Sequence, residues 1–313
     1  MSNCLFCYKR LAANELDFHA SCSRKFFGHS DPPELPYAED NLAPLAQKVI
    51  QSQTAVTGVQ AKLSLHISAG TTTDARRRFT IVGLWGGYIL KPPAEFYPQL
   101  PEVEDATMHL AQIAKIKTAP HSLIRLQSGS LAYITRRIDR TRKGKLAMED
   151  MCQLTERLTE DKYQGSYEQI GKAIQRYSVT PGLDVVIFFE LIVFSFLTGN
   201  ADMHLKNFSL LEQPGLGMTL SPAYDLVNTA LVNPADEEEM ALTLNGRKKK
   251  LKKQDFVAAM NTLKLEEKQQ ENIFNKMAKA MPQWLELIDR SFMSAAFKEQ
   301  YKTILTERMN RFQ

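Results

Sequence analysis

The chain has 313 residues, 44% of them hydrophobic, which is enough for one large domain or for two lobes with separate cores. A formal net charge of only +4, with no repeating period of 20–50 residues, excludes a strongly basic tail-like protein and a solenoid. No stretch reaches the roughly 20 apolar residues of a membrane helix, and the N-terminus lacks a basic-then-apolar signal, so a cytoplasmic protein with reduced cysteines is expected.

Residues 1–28 form a compact Cys/His segment. Cys4-x2-Cys7 followed by His19-x2-Cys22 has the spacing of a small structural zinc site, with four ligands in two close pairs. Reduced cysteines in a packed cap, or a redox role, are the other readings. Residues 29–50 read as loop, because Pro32, Pro33, Pro36 and Pro44 interrupt regular structure. Residues 29–137 read as a strand-rich lobe. Leu63–Ile67 alternates as a half-buried strand. Phe79–Val82 and Tyr88–Lys91 bracket a Trp-Gly-Gly turn and predict a hairpin. Pro101–Ile116 carries a one-sided apolar stripe and predicts a helix, after which Leu123–Leu126 and Leu131–Thr135 return to strand.

From residue 138 to 313 the chain reads as a helical lobe. Tyr167–Arg176 and Asp184–Leu197 are helices, the second opened by Pro181-Gly182 with Asp184 as cap. Amphipathic helices follow from Phe256 onward. The whole is an α+β chain of two lobes. Two basic runs stand out, Arg76–Arg78 and Arg247–Lys250 with Lys252 and Lys253. Each reads as a solvated loop or as a docking surface for an acidic partner.

The segment Gly199–Asn207 directly follows the most apolar helix and carries the strongest chemical signal. Phosphoryl transfer needs a carboxylate to orient and deprotonate an attacking hydroxyl, and oxygen ligands for magnesium on the phosphates. Protein kinases set the catalytic Asp five residues before a metal-binding Asn, the interval between Asp202 and Asn207. Lys206 could neutralise charge on the transferred group; His204 is not needed as a base, is read as holding the loop, and is counted among the ATP-binding candidates. A second magnesium carboxylate is expected on the next strand-to-loop transition, and Tyr224-Asp225-Leu226 supplies Asp225. Upstream, Lys91 ends a strand as a phosphate-binding lysine would, with Glu102 and Glu104 on the following helix.

Taken in order, these residues resemble the HipA family of serine/threonine kinase toxins. The resemblance also rests on Thr57–Lys62, Glu104–Thr107, Arg137–Arg140 and Met148–Gln153. It implies a two-lobed, protein-kinase-like (HipA-like) fold that uses ATP and Mg²⁺. In it Lys91 contacts the phosphates, Glu104 is its partner, and the Arg136–Ile138 backbone is the adenine hinge. Gly58 and Gln60 lie in a phosphate-side loop that family members autophosphorylate. The family's serine in that loop is Ala55 here, which leaves Thr57, Thr54 and Ser52 as the hydroxyls. With about fifty residues ahead of the loop, the chain looks most like HipT, the short toxin of three-component systems. A HipS-like antitoxin and a HipB-like DNA-binding protein are then the implied partners, DNA being reached only through the latter. Aminoacyl-tRNA synthetases are the family's substrates. A kinase-like enzyme acting on a small molecule, and an inactive kinase-like binding module, are the alternatives.

Overall fold

The computed structural model describes residues 2–42, 44, 62–68, 77–82, 85–141 and 143–312. The chain divides into two compact units: Met1–Asp105 with Ala119–Ile138 and Arg290–Phe292, and Ala106–Thr118 with Asp139–Asp289 and Met293–Gln313.

The first unit is built on a five-stranded antiparallel sheet of β1 (Leu63–Ser68), β2 (Arg78–Ile81), β3 (Tyr88–Lys91), β4 (His121–Arg125) and β5 (Leu131–Arg136), in the order β2-β1-β3-β5-β4. The hairpin predicted between the second and third strands does not form. Both pair with β1, which lies between them: Leu65 sits opposite Ile81 on one side and Tyr88 on the other. The Trp-Gly-Gly segment therefore crosses β1 instead of turning back. Gly86 makes the crossing possible, because a Cβ there would stand 2.5 Å from the Leu65 carbonyl oxygen. Its N–H donates to Ser64 Oγ at 3.1 Å.

The N-terminal segment packs into the core of this sheet. Cys4, Leu5, Phe18, Phe26 and Phe27 share one apolar cluster with Leu63, Leu65, Phe79, Leu90 and Ile134. Phe26 and Phe27 come from the short helix α1 (Ala20–Phe27), which ends on Gly28 in the left-handed region. Helix α2 (Leu100–Ile113) follows β3.

The second unit is mainly helical. A three-stranded sheet in the order β10-β9-β8 joins β8 (Met148–Asp150), β9 (Ser209–Gln213) and β10 (Gly217–Leu220), and a small ribbon pairs β6 (Arg140–Thr141) with β7 (Gly144–Lys145). Its helices are α3 (Met151–Leu154), α4 (Tyr167–Tyr177), α5 (Pro181–Leu197), α6 (Thr229–Val232), α7 (Lys253–Thr262), α8 (Glu267–Arg290) and α9 (Ala295–Asn310). Helix α5 is the central post. Phe194 meets Trp284 edge-on at 5.7 Å, and Phe196 stacks on Phe312 at 5.3 Å. The one acid in its apolar run, Glu190, is held by Lys276 at 2.6 Å.

Asp184 is not the cap of α5. The helix starts three residues earlier with Pro181 at its first position, where a missing N–H costs nothing. The Asp184 carboxylate instead accepts from Ser178 Oγ at 2.5 Å and the Leu220 N–H at 2.8 Å, tying the helix to β10. No helix among the described residues is long and apolar enough to cross a membrane.

Candidate active site

Lys91 ends β3 opposite Tyr133 of β5. Its Nζ lies 2.5 Å from Glu104 Oε1 and 5.2 Å from the centre of the Tyr133 ring. The pair is buried, at 3% and 1% exposure. Glu102 is a different case: burial raises its pKa above the usual carboxylate range, with Asp105 adding to the shift. The residue after Glu104, Asp105, is fully engaged. Tyr8 OH donates to Oδ2 at 2.7 Å, and His121 Nδ1 lies 2.7 Å from Oδ1. The sequence reading missed this Tyr8–Asp105–His121 chain, whose members are far apart in sequence. In the expected hinge, the Arg136 N–H donates to Pro120 O at 2.8 Å and the Arg137 N–H to Gly87 O at 2.9 Å. The Ile138 N–H has no backbone partner among the described residues.

In the second unit, α5 delivers the Gly199–Asn207 loop. Gly199 adopts φ +75, and a Cβ on it would stand 2.3 Å from Asn228 Oδ1. Asn228 caps α6 by accepting from the Leu231 N–H at 3.0 Å. The Ala201 N–H donates to Thr229 Oγ1 at 2.7 Å, and the Ala230 N–H to Gly199 O at 3.0 Å. The loop is thus strapped to α6 from both sides.

Asp202 is half-buried, and Tyr163 OH donates to its Oδ1 at 2.7 Å. Its carbonyl oxygen accepts from Asn207 Nδ2 at 2.8 Å and from the His204 N–H at 2.8 Å. That hydrogen bond fixes the Asn207 amide with its nitrogen committed, so Oδ1 is the atom left for a cation. Tyr163 was not singled out from sequence, and a lone tyrosine in a polar stretch gives no signal.

Lys206 is 2.7 Å from Asp150 Oδ2, so its charge already has a partner. Asp150 also caps α3 in a reciprocal capping box with Gln153, which gives the Met148–Gln153 segment a structural reason. Asp225 sits at φ +55, a left-handed conformation unusual for a residue with a Cβ. The preceding Tyr224 is anchored through its hydroxyl, 2.5 Å from Ser209 Oγ and 3.0 Å from Lys206 O. Burial pushes the Tyr224 phenol above its ordinary pKa, so it stays a neutral anchor.

His204 is buried, with its ring edge-on to Tyr163 at 5.1 Å. Burial lowers its pKa to about 4, outweighing the attraction of the Asp202 charge. It is therefore a neutral imidazole near pH 7 and a poor proton acceptor beside the Asp202 carboxylate.

The four N-terminal candidates converge. The ligand atoms of Cys4, Cys7, His19 and Cys22 all lie within 4.8 Å of one another. Burial raises the Cys7 thiol and pushes Cys22 up to about 12. Cys152 is buried, and its thiol is likewise raised by burial. Ser52, Thr54, Ala55, Thr57, Gly58 and Gln60 lie outside the described residues.

Residues 54–285 match the model of the HipA-like C-terminal domain, and the chain belongs to that family. It is 36% identical over 182 residues to Y4dM of Sinorhizobium fredii, named as an inferred kinase, covering 54% of this chain and 43% of that protein. A Haemophilus influenzae protein with a similar name is 28% identical over 211 residues, covering 63% of this chain and 59% of its own length. The chain thus spans about half the length of the curated relatives it matches. Two solved structures share the fold. One is HipA of Shewanella oneidensis, in complex with HipB and its operator DNA, with a TM-score of 0.66 at 22% identity over 85% of this chain and 70% of that one. The other is the proinflammatory kinase CtkA of Helicobacter pylori, with a TM-score of 0.53 at 17% identity over 72% of this chain and 87% of that one. The fold is α+β and protein-kinase-like, of the HipA type.

Proposed function

We propose that the chain is an ATP-dependent serine/threonine protein kinase of the HipA toxin type. The observation that carries the reading is the Asp202–Asn207 loop, which holds a half-buried carboxylate on Tyr163 and commits the Asn207 amide nitrogen to the Asp202 backbone carbonyl. Asp202 orients the attacking hydroxyl and accepts its proton. Asn207 and Asp225 offer two hard oxygen donors, a set that suits Mg²⁺. Bound there, Mg²⁺ would neutralise charge on the phosphates. Lys91, aligned by Glu104, takes phosphate oxygens of ATP, and the Ile138 N–H is the hinge donor toward adenine. Lys206 exchanges its Asp150 partner for the transferred phosphoryl group. His204 stays neutral and keeps the loop in shape.

Membership of the HipA-like family and relatives named as kinases support this reading. The Shewanella neighbour assembles with HipB and operator DNA, which supports a HipB-like DNA-binding partner. By resemblance to the short HipT form, a HipS-like antitoxin completes the complex and the substrate is an aminoacyl-tRNA synthetase in the cytoplasm. Phosphorylation of Thr57, with Thr54 and Ser52 as neighbouring acceptors, would add roughly −2 charge beside the ATP phosphates and switch the enzyme off.

Labelled ATP, Mg²⁺ and cell lysate test the proposal. Wild type should label a discrete protein band, and Asp202→Ala should reduce transfer by roughly 10²–10⁴-fold. Label appearing only in metabolites, or an Asp202→Ala protein of full activity, would overturn it.

A further inference from the structure

The Cys4–Cys7–His19–Cys22 cluster meets three independent requirements of a structural metal site. The first is distance. A tetrahedron with Zn–S of about 2.3 Å and Zn–N of about 2.0–2.1 Å has S···N edges of about 3.5–3.6 Å. His19 Nδ1 lies 3.5 Å from Cys7 Sγ and 3.6 Å from Cys22 Sγ.

The second is ligand orientation. His19 Nε2 lies 3.1 Å from the Arg10 carbonyl oxygen, to which it can only donate. That bond selects the tautomer with a bare Nδ1 directed at the thiols, the outer partner that metal-ligating histidines characteristically have. His19 is also the N-cap residue of α1, yet its side chain caps no backbone N–H. Cys22, three residues on, lies in the first turn of the helix.

The third is the backbone of the first pair. The Tyr8 N–H returns to Cys4 O at 2.9 Å, the Cys4 N–H donates to Lys9 O at 2.8 Å, and Tyr8 takes φ +58. This tight turn brings the Cys4 and Cys7 sulfurs to one side. Three thiols and one imidazole are a soft and borderline set that favours tetrahedral Zn²⁺ over Mg²⁺ or Ca²⁺.

We infer that Cys4, Cys7, His19 Nδ1 and Cys22 bind one structural Zn²⁺, which fastens the N-terminal turn to the strand-rich unit. The fastening points are on the same turn. Leu5 O accepts from the Leu123 N–H at 3.3 Å and from Ser122 Oγ at 3.2 Å, both on β4. Tyr8, directly after the Cys-x2-Cys pair, holds Asp105, the neighbour of Glu104. Binding releases the thiol protons to solvent and involves no change of oxidation state.

The test uses the full chain purified without added metal. Elemental analysis should find about one zinc per chain. Cobalt exchanged into the site should show the visible bands of a tetrahedral thiolate-rich centre. Cys4→Ser and Cys22→Ser should each lose the metal, whereas His19→Cys and Cys152→Ser should keep it. Should the serine variants fail to fold, wild type decides: a chelator should release zinc together with three newly reactive thiols, and the thermal midpoint should fall by roughly 5 °C or more. Iron in place of zinc, no metal uptake after refolding with equimolar zinc, or chelation without new thiols would overturn the assignment.

Discussion

Lys91 and Glu104 bury opposite charges at 2.5 Å. Such a pair contributes little net stability over an apolar substitute, but breaking it strands a charge without solvent. Glu104→Leu should therefore cost about 3–5 kcal/mol in urea unfolding, and Lys91→Met/Glu104→Leu clearly less. A double variant as unstable as the single one would show that packing, not charge, sets the cost. The His204 ring makes a pH prediction. Its folded value of about 4 lies below the ordinary 6.5, so the neutral form is favoured by folding. That contribution is present above about pH 6.5 and is lost as pH falls toward 4, to a limit of about 3 kcal/mol. The thermal midpoint of wild type should fall across that window, and His204→Gln should flatten the fall. At this scale the sequence was informative where the chemistry is carried by short motifs: Asp202 and Asn207 sit on one turn because they are five residues apart. Tyr163 and the Tyr8–Asp105–His121 chain were illegible, because only the fold brings them together.

Elements were read well where the pattern was strong: the one-sided stripe of Tyr167–Arg176, a helix over Tyr167–Tyr177, and the continuous apolar run of Asp184–Leu197, a helix over Pro181–Leu197. Their connections were not. A Gly-Gly step between two short strands is good hairpin chemistry, and nothing local says that β1 comes between them. The start of α5 was misplaced for a related reason. An Asp near a helix start is a good cap by propensity, but the tertiary partners Ser178 and Leu220 claim this one. The element-scale prediction concerns Gly199. Its left-handed φ and the 2.3 Å approach of Asn228 Oδ1 leave no room for a methyl. Gly199→Ala should lower stability by about 1–3 kcal/mol or more, and it should reduce phosphoryl transfer by moving Asp202. Unchanged activity alongside lost stability would show that the strap to α6 is not what sets the position of Asp202.

At the scale of the molecule, the two units have separate cores, one around the sheet with Phe26, Phe27 and Leu65, the other around α5. Two lysines of the basic run near residue 248 are met within the chain: Lys248 and Lys249 each reach an acid, Glu238 and Glu237, at 3.2 Å. Exposed pairs of this kind contribute little to stability. The strand-rich unit is closed by residues from very far along the chain. Asn3 Nδ2 donates to Arg290 O at 3.1 Å, and the Phe292 ring meets Tyr8 edge-on at 5.1 Å. Translation runs in one direction, at about 5–20 residues per second. The residues around Tyr8 must therefore wait tens of seconds for residues 290–292. Until then Tyr8, the hydroxyl that holds Asp105, has one face uncovered. Under the proposed function, a chain made only as far as residue 289 is an unfinished kinase, and the cell is spared its activity until residues 290–292 have been added.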